Sequence, residues 1–199
     1  MSGYGFKRGE GKTLPIEITK ENAISRGRFI NRIEYRKTDK AEFCTIEVID
    51  KEGKTARKSY FPPKIGVGFV KNQEDFDKEQ GKLNRTMKNL TNVLLTKDYE
   101  TGSVSTFAEF VNRIISDIGK AYANKELRIK LVYDSKNRPT LPNYPTMFED
   151  PTLISDADSK MVLTQWDKVK PTDIPMDEDK KPDVELKGSE KKEEDDLPF

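Results

Sequence analysis

The chain has 199 residues, 34% hydrophobic and 36% charged, with 36 Lys and Arg against 35 Asp and Glu. That composition supports one modest core with a sizeable solvated fraction, and no apolar run approaches the roughly 20 residues that span a membrane. Cys44 is the single cysteine and histidine is absent, which excludes an internal disulfide, a Cys/His zinc site and histidine-based acid–base or triad chemistry.

Residues 1–22 are polar, glycine-rich and basic, and read as a flexible N-terminal arm or an early edge. Their first eight residues contain no apolar h-region, so they are not a secretory signal, and with the lone cysteine this predicts a reducing, cytoplasmic setting. Gly9-Glu10-Gly11-Lys12-Thr13 imitates a phosphate-binding loop, but Phe6 stands where the first glycine belongs and no buried strand precedes it.

A strand is predicted over Ser25 to Lys37. Its even positions carry Arg26, Arg28, Arg32 and Arg36, and its odd positions Phe29, Ile33 and Tyr35, so a regular strand sets four arginines on one face. A second strand, Glu42 to Asp50, alternates Cys44, Ile46 and Val48 with Phe43, Thr45 and Glu47. Asp50-Lys51-Glu52-Gly53 reads as a hairpin turn with glycine where positive φ is needed. A third strand, Lys54 to Phe61, ends at Pro62-Pro63.

Helical spacing follows. Leu83, Met87, Leu90 and Leu94 recur on one helical face. Thr106-Phe107-Ala108-Glu109 has capping-box form and opens a second apolar stripe, Phe107, Phe110, Val111, Ile114, Ile115, Ile118 and Tyr122, read as core-facing. Leu127, Ile129, Leu131 and Tyr133 mark a fourth strand, Leu141 to Pro145 a long loop, and Met161 to Trp166 a closing strand. Beyond Lys170, prolines and charges replace periodicity, which predicts a disordered tail over 171–199. That tail holds eleven acids against five lysines, a net of −6, leaving +7 on residues 1–170. A basic body with an acidic tail is the asymmetry of a nucleic-acid binder with an interaction segment.

The tail ends in Glu193-Glu194-Asp195-Asp196-Leu197-Pro198-Phe199. A terminal aromatic beside four carboxylates suits bait held in solvent: a partner pocket takes the ring, and a cation pairs with the α-carboxylate. This tip resembles the C-terminal tip of bacterial and phage single-stranded DNA-binding proteins, with Leu197 where bacterial members usually carry Ile. The resemblance is specific over those seven residues. Over the body it is architectural, since three meandering strands, a helical insertion and further strands match the order of an OB-fold, a five-stranded Greek-key barrel.

The expected fold is therefore mainly β with a helical insertion (α+β). An OB-fold single-stranded DNA-binding domain is predicted over 23–170, its insertion at about 72–124, followed by the acidic protein-interaction tail. The resemblance implies a protein that coats single-stranded DNA in replication, recombination and repair and recruits partner enzymes through its tip. It implies no reaction, cofactor, metal or membrane, in a bacterial cell or a phage-infected one; a homo-oligomer is compatible with it. Such binding needs cations for phosphates and exposed aromatic faces for bases. Arg26, Arg28, Arg32, Arg36, Lys54, Arg57 and Lys58 are the cationic candidates. Tyr60 and Phe61 point to opposite faces, so one of them can stack; Tyr60 is favoured because its hydroxyl tolerates water. Phe43 is either a stacker or a core cap, and Trp166 either stacks or, as favoured, seals the barrel's end. Asp156-Ala157-Asp158 reads as solvated loop charge. The rival readings are an RNA-binding or RNA-chaperone OB protein, a carboxylate-metal nuclease and a protein-binding adaptor.

Overall fold

A computed structural model describes residues 14–170 except 120, 123 and 145. The readings for residues 1–13, for the 171–199 tail and for the Glu193–Phe199 tip lie outside the described residues.

Three strands form the expected meander: β1 (Ile24–Lys37), β2 (Glu42–Asp50) and β3 (Thr55–Tyr60). The turn between β2 and β3 closes as predicted, with Gly53 at φ 82° and the Asp50 carboxylate accepting from the Glu52 and Lys54 amides. Two helices occupy the insertion, α1 (Gln73–Leu95) and α2 (Phe107–Ile118). Asn72 caps α1, and the Thr106/Glu109 capping box opens α2. Both predicted stripes are buried: Leu83, Met87, Leu90 and Leu94 on α1, and Phe110, Val111, Ile114 and Ile118 on α2. Short strands follow: β4 (Leu127–Lys130), β5 (Val132–Tyr133), β6 (Pro139–Thr140) and β7 (Phe148–Glu149).

The architecture is α+β on one antiparallel five-stranded sheet, in the order β3-β2-β1-β4-β7. Ile30, Ile33, Cys44, Ile46, Val48, Leu127 and Ile129 line its core face, on which the helices pack. Asn89 ties α1 to β7, its amide donating to the Phe148 carbonyl and its carbonyl accepting from the Met147 and Phe148 amides. The sheet does not close into a barrel. β5 and β6 form a separate hairpin, and β6 meets β3 through a bond from Thr140 Oγ1 to the Arg57 carbonyl at 3.0 Å.

Three readings change. Residues 14–22 belong to the body rather than to an arm: the Ile16 amide donates to Thr55 at 3.0 Å, the Thr55 amide to Leu14 at 2.8 Å, and Ile16 and Ile18 are buried. The fifth strand is Phe148–Glu149; Met161 to Trp166 forms no strand, because its backbone turns over the sheet, with the Lys130 ammonium bonding the Val162 carbonyl. The third concerns β1. Ile30 pairs with Val48 but Arg32 pairs with Glu47, so Asn31 is an extra residue in the ladder. That bulge reverses the parity of inside and outside along the strand.

Candidate nucleic-acid interface

The bulge at Asn31 separates the four arginines. Before it, Arg28 shares the inward face with Ile30; after it, Ile33 and Tyr35 turn inward while Arg32 and Arg36 turn outward. Arg28 is 3% exposed, its guanidinium donating to the carbonyls of Ala23 at 3.2 Å, Ile129 at 2.5 Å and Asn22. Burial pulls its guanidinium down to about 10, against the weaker influence of Asp50. It is a structural clamp between the chain before β1 and β4, with no donor turned to a phosphate. Arg26 stands apart too, paired at 2.9 Å with Asp156, which also receives Arg128. Asp156, its side chain 73% exposed, is a solvated loop charge that also pairs with both arginines.

The β2–β3 register places the remaining candidates. Cys44 faces Tyr60, Ile46 faces Lys58 and Val48 faces Ala56, so this set looks inward. Tyr60 packs against the core, its hydroxyl 3.6 Å from Met147 Sδ, and burial raises its phenol above the ordinary value. Cys44 beside it is fully buried, its thiol pushed up to about 12 by burial. Tyr60 is therefore a core residue, and the preference for it over Phe61 is reversed. Lys54 also leaves the site, since it pairs with Glu52 at 2.6 Å in the hairpin turn.

The opposite set, Phe43, Thr45 and Glu47 on β2 with Arg57, Ser59 and Phe61 along β3 and just beyond it, looks outward beside Arg32 and Arg36. A groove of about 1290 Å³ lies along this face. Its far side is built from the β5–β6 hairpin, the 141–144 loop and residues 166–168. Phe43 and Phe61 form a tilted ring pair on it, with centroids 5.4 Å apart, and Phe61 is 56% exposed. Trp166 lines the far side and is 82% exposed, so it seals nothing.

The groove is cationic, but not simply so. Arg32, Arg36, Arg57, Lys58, Arg138 and Lys168 line it against Glu47, Asp134 and Asp167. Arg32 lies 3.2 Å from Glu34 and 3.7 Å from Glu47, and Arg36 lies 2.9 Å from Glu34. This floor is incompletely satisfied: Arg32 Nε, Glu34 Oε2 and Asn31 Oδ1 are buried and have no hydrogen-bond partner among the described residues. Lys58 reaches the groove from the core side, donating to the Leu141 and Pro142 carbonyls and Asn143 Oδ1 at 2.9, 2.5 and 2.6 Å. Burial lowers its ammonium to about 8. Its three protons are committed to the 141–144 loop, so it shapes the groove wall rather than meeting a ligand directly.

Of the predicted cations and aromatics, Arg32, Arg36, Phe43, Arg57 and Lys58 meet in the groove; Arg26, Arg28, Lys54 and Tyr60 do not. Phe61, Arg138, Trp166 and Lys168 complete it. Among the described residues no group of three or more Asp, Glu or Cys side chains could hold a metal ion, and no helix is long and apolar enough to cross a membrane. The chain matches no protein-family model, no curated protein and no solved structure.

Proposed function

We propose that the protein binds single-stranded DNA in this groove without sequence preference, as a single-stranded DNA-binding protein of the kind its C-terminal tip resembles, with the open sheet as a variant of the OB architecture. The observation that carries the reading is the Phe43/Phe61 ring pair, Phe61 exposed and Phe43 half-buried, beside Arg36 and Arg57 in the groove. Aromatic faces accept any base at about 1–3 kcal/mol each, and cations along the groove track the backbone. A duplex hides its base faces in the stack and gains nothing from these rings. In this reading the acidic Glu193–Phe199 segment recruits replication, recombination or repair enzymes, and the strand is bound, not processed.

Affinity for oligo-dT against the matching duplex, at two salt concentrations, tests the proposal. Oligo-dT should bind more tightly at both. Arg57→Ala should weaken it and flatten the dependence of log affinity on log salt by about 0.7, the share of a single neutralised phosphate. Equal affinity for strand and duplex sinks the reading.

A further inference from the structure

Between β3 and α1 the chain exposes apolar side chains that neither the core nor the groove uses. Phe69 is 94% exposed, Val67 61% and Ile65 53%, while Val70 beside them is buried and anchors the loop. The loop is ordered by its own backbone: the Gly66 amide donates to the Val70 carbonyl at 2.8 Å and the Val70 amide to the Val67 carbonyl at 3.2 Å. Gly66 and Gly68, at φ 85° and 62°, allow this tight turn, which side-chain-bearing residues rarely adopt. The backbone is thus folded so as to present a phenylalanine to solvent.

Two observations say what covers it. The loop follows in the chain directly after Phe61, which lines the groove. It is also flanked by exposed Lys64 and Lys71, and from Lys54 to Gln73 the sequence contains no acidic residue. An apolar tip between two exposed lysines, with the nearest acids in sequence, Glu74 and Asp75, in the first turn of α1, fits a polyanion that carries flat rings.

We propose that this loop is a second contact for the same nucleic-acid strand, with Phe69 stacking on a base that has passed the Phe43/Phe61 pair. The inference rests on the groove reading and extends it: the strand leaves the groove over the end of β3, and the loop lengthens the binding site.

A length series of oligo-dT, from about 4 to 20 nucleotides, covers the range of OB-type sites. Phe69→Ala should match wild type on the shortest strands that bind. On strands long enough to reach the loop it should bind about 5- to 150-fold more weakly, the effect of unstacking a single base, and Phe69→Tyr should restore binding. Curves that overlay wild type at every length overturn the proposal. An equal loss at every length does so as well, because the residue would then act on the groove or the fold. So does loss of self-association in sedimentation with strand binding intact, which would make the loop a contact between copies. Phe61→Ala, run beside it, keeps the two ideas separable: it should weaken binding at every length, and if it does not, the groove reading fails whatever Phe69 does.

Discussion

Two outward strand faces in this molecule begin from the same sequence pattern and end differently. On β1–β3, Arg32, Arg36 and Arg57 lie on an open groove. On β4, Arg128 and Lys130 alternate with Leu127 and Ile129 in just the way that marks a cationic strand face, yet they are 3% and 1% exposed. β7 and the segment after it supply the counter-charges: Glu149 of β7 and Asp156 to Arg128, Asp167 to Lys130 at 2.7 Å. Tyr144 and Thr164 bond the same Asp167. Burial would raise the Asp167 carboxyl, but the bonds from Lys130, Tyr144 and Thr164 hold it below its ordinary value. Alternation tells which way a cation points; it does not tell whether another part of the chain will lie on top of it.

The covered face gives the largest expected effect. Lys130→Met leaves Asp167 buried without its cation, which should cost about 3–5 kcal/mol of stability in denaturant titrations. Replacing both, as Lys130→Met with Asp167→Leu, should recover much of that loss, because a buried pair costs nearly as much to desolvate as it returns. On the open face, Arg36→Ala should cost no more than about 1 kcal/mol, since the Arg36 side chain is 52% exposed. The covered pair also carries a pH signature. A carboxyl lowered in the folded state contributes stability that is present above its unfolded value of about 3.9 and lost as acid protonates it. The stability gap between wild type and Asp167→Asn should therefore hold at neutral pH and shrink below about pH 4. A gap that does not change with pH would mean that Asp167 is not held charged by its partners.

At the end of β3, the two neighbours Tyr60, facing in, and Phe61, facing out, give the next effect. Phe61→Ala should weaken oligo-dT binding by about 1–3 kcal/mol with little change in the salt slope, because stacking releases few counterions. Its stability should barely move. Tyr60→Ala should do the opposite in stability, opening a cavity beside Cys44 and Met147, at a cost of about 3–5 kcal/mol. If Phe61→Ala binds as wild type, the ring pair is not the stacking platform.

The meander, the hairpin turn and both helices were legible because each rests on local chemistry: alternation, a glycine at positive φ, a capping box, a heptad-like stripe. The inward place of Tyr60 was legible too. Counting outward from the Asp50–Gly53 turn, Ile49 meets Thr55 and Cys44 meets Tyr60, so the residue opposite a core cysteine could be read as core. The preference for a hydroxyl that tolerates water outweighed that register, and the register was the stronger physics. The bulge at Asn31 was not legible, because one extra residue in a ladder leaves no mark on a pattern of period two. It moved Arg28 from groove to core. The burial of Arg128 and Lys130 depends on contacts with residues 144–167 that are distant in sequence, and alternation carries no information about those. Closure of the sheet was beyond reach for the same reason, since it depends on how short strands after residue 130 pair.

The smallest expected effect tests whether the open face is held in reserve by its own acids. Glu34 touches both groove arginines, its Oε2 3.2 Å from Arg32 and its Oε1 2.9 Å from Arg36. It holds Arg36 from the side, raising that guanidinium above its ordinary value. A phosphate entering the groove must compete with it. Glu34→Gln keeps the shape and removes the charge, leaving Arg32 with Glu47 at 3.7 Å. Arg36, the more open of the two cations with its side chain 52% exposed, sets the scale: a pair open to water is worth about 0.2–1 kcal/mol, so oligo-dT affinity should rise about 1.5- to 5-fold at low salt. The salt slope should steepen at the same time, because arginines no longer shared with Glu34 neutralise phosphate more fully. A fall in affinity would carry a different lesson: that Glu34 serves to aim the two arginines, and that the pairs on the open face, like those under the 149–167 segment, are there for geometry.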